Sequence, residues 1–79
     1  MYPQCLKNVR VNDKKIVTEN PQVQEKKREI EEKLGEDGRI LLRESGTEPV
    51  IRVMVEAATD ELCEQYVDEM VEVIDDNIQ

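Results

Sequence analysis

A chain of 79 residues with a formal charge of −8 holds one small domain, which buries only about 60% of its unfolded surface and has no room for a deep, self-contained catalytic cavity. The acidic balance works against nucleic acid or anionic lipid as a partner, because long tracts of Lys or Arg are absent. No stretch approaches the about 20 apolar residues that span a bilayer, the N-terminus lacks a signal-peptide core, and Cys5 and Cys63 are too few for a secreted disulfide scaffold; the expectation is a cytoplasmic protein with reduced thiols.

Residues 1–4 read as a linker remnant in front of one domain over 1–79. Across 5–12 the apolar residues alternate loosely, with Val9 and Val11 on one face and Lys7 and Asn8 toward the other, which predicts an edge strand ending at the Asn12-Asp13 turn. Thr18-Glu19-Asn20-Pro21 then opens a helix, since Asn20 can accept the orphan amides as N-cap and the missing N–H of Pro21 is harmless in the first turn. Val23, Ile30 and Leu34 share a face of this helix, and Gly35 stops it. Lys26-Lys27-Arg28 is interleaved with Glu25, Glu29, Glu31 and Glu32 and reads as a solvated face.

Gly35-Glu-Asp-Gly38 turns the chain into Arg39-Ile-Leu-Leu-Arg43, an apolar run too short for a helix and therefore a strand. The polar stretch 45–49 interrupts the pattern before Val50-Ile-Arg-Val-Met-Val-Glu56 resumes it with β-branched residues. Thr59 or Asp60 caps the last helix, in which Leu62, Cys63, Tyr66, Val67, Met70, Val71, Ile74 and Ile78 recur at spacings of three and four. The order β-α-β-β-α predicts an α+β fold, a two-layer sandwich with a small antiparallel or mixed sheet and two helices on one face.

The chemistry sits in Arg43-Glu44-Ser45-Gly46-Thr47-Glu48-Pro49-Val50-Ile51-Arg52. Two guanidiniums flank a loop with two hydroxyl donors and a glycine, through which backbone N–H groups can approach an oxyanion unhindered by a Cβ. Arginine suits phosphate because its planar fork donates paired, charge-assisted hydrogen bonds at every physiological pH. Pro49 stiffens the exit, so less freedom is lost when a ligand is gripped. The bland alternative is ordinary turn chemistry beside two solvated arginines.

The string RESGTEPVIRVMVEA resembles the signature near the C-terminus of the α-D-phosphohexomutases, in the form carried by their phosphoglucosamine mutase branch, and Pro3-Gln4 with Leu6-Lys-Asn-Val-Arg-Val11 resembles the opening of the same domain. The resemblance implies one domain of a four-domain isomerase that interconverts glucosamine 6-phosphate and glucosamine 1-phosphate for bacterial cell-wall precursor synthesis; another phosphohexomutase, a phosphomannomutase or phosphoglucomutase, is the neighbouring alternative. By position it implies a phosphate grip of Arg43, Ser45, Gly46, Thr47 and Arg52, with Gly46 acting through its amide and Glu48 given no contact. The implied partners are a phosphosugar and the enzyme's other domains, which would carry the phosphoserine and the magnesium. Glu44 departs from relatives that place a basic residue or proline there, and strand alternation should turn it away from Arg43. The chain has no His, its one Ser is Ser45 and it has no Asp cluster of the magnesium-binding kind, so the domain alone is expected to be inactive and to hold no cofactor.

Other readings fit less well. Ser45 as a hydrolase nucleophile has no His for a base and no G-x-S-x-G elbow. Gly35-Glu-Asp-Gly38 formally fits a GxxG nucleotide clamp, but its two acids would repel phosphates. A small non-enzymatic interaction domain would expose the apolar stripe of the last helix, whereas in a protein this size that stripe, Cys63 included, belongs to its own core.

Overall fold

The computed structural model describes residues 2–77. They form β1 (Gln4–Arg10), α1 (Lys14–Glu19), α2 (Pro21–Leu34), a 3-10 turn (Gly35–Asp37), β2 (Arg39–Glu44), β3 (Val50–Glu56) and α3 (Asp60–Asp76). The sheet is antiparallel throughout in the order β1-β3-β2, so β3 is central and β1 is an edge. The α+β expectation holds, with α1 as an addition to it.

Alternation along β3 decides which side of the sheet becomes the core. Ile51, Val53 and Val55 are fully buried, and their register partners Val9, Cys5, Ile40 and Leu42 join them against α2 and α3. From α3 come Cys63, Tyr66, Val67, Met70 and Ile74, and from α2 Val23, Ile30 and Leu34, each fully buried aliphatic side chain contributing about 1.5–3 kcal/mol over its exposed state. Thr59 caps α3, its side chain accepting from the Leu62 N–H. Ile78, expected on the same stripe, lies outside the described residues. No helix among the described residues is long and apolar enough to cross a membrane.

Burial, followed by the neighbouring Cys5 thiol, pushes the Cys63 thiol up to about 12, and its S–H donates to the Val55 carbonyl at 2.9 Å. It packs as a small hydrophobe and is not a nucleophile at neutral pH.

Turn chemistry fixes the boundaries. Asn20 accepts from the amides of Gln22 and Val23 at the start of α2, and Gly35 ends it with a φ of 59° that favours glycine. At Gly38 the demand is spatial, because an added Cβ would come within 2.2 Å of the Glu56 carbonyl oxygen on β3. β1 begins at Gln4, inside the stretch read as linker, and the Pro3 carbonyl accepts from the Ala57 N–H at 3.2 Å. Lys7, expected toward the face opposite Val9, shares that residue's side of the strand; at a sheet edge its amine can reach around to Asp68 of α3.

Candidate functional site

Among the described residues the other side of the sheet carries no helix, and register organises it into rows. Gln4, Glu56 and Arg39 form one row, Leu6, Met54 and Leu41 the next, and Asn8, Arg52 and Arg43 a third. The third row ends at the loop joining β2 to β3. Arg43 and Arg52 are direct partners across the two strands, an arrangement that destabilises a sheet when like charges face each other with nothing between them.

The structure leaves both guanidiniums available. Ion pairs among the described residues lie along α2, between α2 and α3, between Lys7 and Asp68, and between Arg39 and Glu56. None of them involves Arg43 or Arg52. Glu44, the nearest acid in sequence, opposes Ile51 on the helix side and accepts a hydrogen bond from the Thr18 hydroxyl at 3.3 Å, as alternation requires.

The loop is closed by the backbone. Ser45 N–H donates to the Val50 carbonyl at 2.9 Å, Val50 N–H to Glu48 at 2.8 Å, and Val11 N–H, from just beyond β1, to Pro49 at 2.8 Å. The Ser45 hydroxyl oxygen accepts from the Glu48 N–H at 3.4 Å, which leaves its own O–H to donate elsewhere. The amides of Gly46 and Thr47 donate to no acceptor among the described residues. A Cβ at Gly46 would meet no protein atom within 4 Å beyond its chain neighbours, and its φ lies outside the left-handed region; neither packing nor backbone strain among the described residues requires glycine there.

Arg43, Ser45, Gly46, Thr47 and Arg52 all line one cavity of about 400 Å³ at the end of the basic row, within the range of small-ligand pockets. Two cations, two hydroxyls and two unspent amides line it, a donor set that complements a compact anion, and the acids Glu44 and Glu48 line it as well. Asn8, which the sequence pattern marks only as a strand residue, also lines this cavity. Its position on the face opposite Val9 was readable, whereas its place beside Arg52 depends on β1 pairing with β3 rather than with β2. Among the described residues, no group of three or more His, Cys, Asp and Glu is gathered for a metal ion.

Residues 6–73 match the family described as phosphoglucomutase/phosphomannomutase, C-terminal domain. The chain is 53% identical over 77 residues to a phosphoglucosamine mutase of Shouchella clausii, an alignment covering 98% of this chain and 17% of that protein. It is 56% identical over 73 residues to a phosphoglucosamine mutase of Bacillus mycoides, covering 92% of this chain and 16% of the relative. Its backbone matches that of Aspergillus fumigatus N-acetylphosphoglucosamine mutase, solved in complex with GlcNAc-6P and magnesium, with a TM-score of 0.84 across 99% of this chain and 16% of that one. At 24% identity, this last likeness is one of fold. The chain therefore spans about one-sixth of the length of the curated relatives it matches.

Proposed function

The chain belongs to the family of phosphoglucomutase/phosphomannomutase C-terminal domains, and on that premise we propose that it grips the non-reacting phosphate of a phosphosugar for a phosphoglucosamine mutase, which interconverts glucosamine 6-phosphate and glucosamine 1-phosphate. The observation that carries this reading is the Arg43–Arg52 rung, two facing cations without carboxylate partners among the described residues, set beside a loop with unspent amides. A phosphate monoester brings a charge of about −1.5 to −2 at neutral pH, which offsets the two guanidiniums. Binding thereby removes a repulsion as well as forming charge-assisted hydrogen bonds.

Arg43 and Arg52 supply the charge-assisted contacts in this reading, Ser45 and Thr47 supply hydroxyl donors that rotate to fit, and Gly46 supplies its amide. Asn8 adds a neutral carboxamide at the end of the row. All the charged donors read the shape of a phosphoryl group and none reads a sugar ring. Such a grip accepts a hexose by either its 1- or its 6-phosphate, as a mutase must when its bisphosphorylated intermediate turns round. Fixing the distal phosphate restricts the pose of the sugar, so binding energy far from the reacting atoms lowers the entropic part of the barrier. As a small unit tethered to the rest of an enzyme, the domain can also close over the sugar and exclude water.

Bond making is assigned to the remainder of the parent enzyme, which would supply the phosphoserine and the magnesium. This chain, with no His and Ser45 as its one serine, is proposed to be inactive alone, in a cytoplasmic enzyme. Titration with inorganic phosphate, followed by backbone amide chemical shifts, tests the assignment. Ser45, Gly46 and Thr47 are expected to move most, and shifts confined to other segments would overturn it.

A further inference from the structure

We propose that Lys14 is a positioning residue of this grip, holding the Ser45 carbonyl from behind the loop so that the Gly46 amide points at the bound phosphate. The inference rests on the phosphate reading above.

Lys14 opens α1, where the Asp13 carboxylate caps the helix by accepting from the Ile16 N–H at 3.1 Å. A helix of six residues is marginal by itself, and α1 buries only Val17. What it adds to the loop is an ammonium group: Lys14 Nζ donates to the Ser45 carbonyl oxygen at a part-buried position, 31 residues away in sequence. Peptide planarity gives this contact a directional consequence. The described chain has no cis peptide bond, so the carbonyl of Ser45 and the N–H of Gly46 point in opposite directions within one rigid plane.

The two sides of that plane meet different surroundings. Lys14 lines a shallow depression with Asp13, Lys15 and Pro49, whereas Gly46 lines the cavity of the arginine row and Lys14 does not; Glu44, Thr47 and Glu48 form the ridge common to both. Pinning the carbonyl on the α1 side therefore sends the Gly46 N–H the other way, and that N–H has no acceptor among the described residues. A glycine peptide is the easiest in a loop to rotate, so without a lock the donor would be disordered before binding and ordering it would weaken the grip. The ammonium also draws charge through the carbonyl, strengthening the amide as a donor in a partly desolvated site.

The test is titration of the unmodified chain and its variants with inorganic phosphate, monitored by amide shifts and by the midpoint of thermal unfolding. Lys14→Met keeps an extended apolar stem and removes the donor; Lys15→Met removes an equal charge from the adjacent exposed position. Lys14→Met is expected to lower phosphate affinity about five- to tenfold, the scale of one modest hydrogen bond, and to abolish the phosphate-induced shift of Gly46 while Thr47 still responds and the unfolding midpoint holds. Lys15→Met is expected to change affinity less than about twofold, as a screened surface charge does, and to leave the Gly46 shift in place. Equal effects of the two variants would reduce Lys14 to a distant charge and overturn the proposal. So would an unaltered Gly46 shift in Lys14→Met, or a uniform loss across 45–47 with a lowered unfolding midpoint. If the unmodified chain shows no shifts at 45–47, the phosphate reading itself fails.

Discussion

The two faces of one small sheet are built on opposite principles. Toward α2 and α3, β3 sends Ile51, Val53 and Val55 into contacts complete within the chain. Toward the open side it sends Arg52, directly opposite Arg43, two like charges that repel unless an anion lies between them. In the proposed reading, neighbours on a strand answer to different demands, one to folding and the next to a ligand, because the pleat separates them by its period of two.

The sharpest way to break this comparison is to substitute adjacent residues. Ile51→Ala is expected to cost about 2–5 kcal/mol of unfolding free energy by leaving a cavity, measured by denaturant titration, with the phosphate affinity of the remaining folded fraction kept. Arg52→Gln should do the reverse, weakening phosphate binding by about 1.5–3 kcal/mol, the range for hydrogen bonds to a charged group, while stability changes by under about 0.5 kcal/mol, as at other exposed positions. Arg43→Ala should match Arg52→Gln in affinity loss by isothermal titration. A stability loss from Arg52→Gln as large as that from Ile51→Ala would erase the division between the faces.

A smaller effect sharpens it. With no histidine in the chain, the ligand's own second ionisation, near a pKa of about 6, is expected to govern how binding varies with pH around neutrality. The dianion answers both guanidiniums and the monoanion only one. Affinity for a hexose phosphate should therefore rise between about pH 5 and pH 7.5 by up to about tenfold, following the ligand's ionisation. A flat profile would mean that a single positive charge does the gripping.

Local patterns were the part of this architecture legible in the sequence. The stripe of α3, the alternation of β3, the Asn20-Pro21 cap and the two arginines flanking a short polar loop each declare themselves within a few residues, whereas the direct facing of Arg43 and Arg52 comes from the β2–β3 register. α1 was not legible: with only Val17 buried, six residues give no periodicity to read, and Ile16-Val17-Thr18 carries the β-branched composition of a strand. The places of Asn8 and Lys14 beside the loop were hidden for another reason. Both depend on non-local meetings, β1 against β3 and α1 against the loop, that no window of neighbouring residues encodes.

Those meetings bear on how the protein comes into being. β2 and β3 are neighbours along the chain, but Gln4 must find Glu56 before β1 is in place, and such long closures slow folding relative to local ones. The hairpin carrying both arginines is expected to form early and the N-terminal strand to dock onto it late. Because Val11 ties down Pro49, the grip would reach its working shape only at that last step, leaving a half-assembled chain with its cations in place and its aim unset.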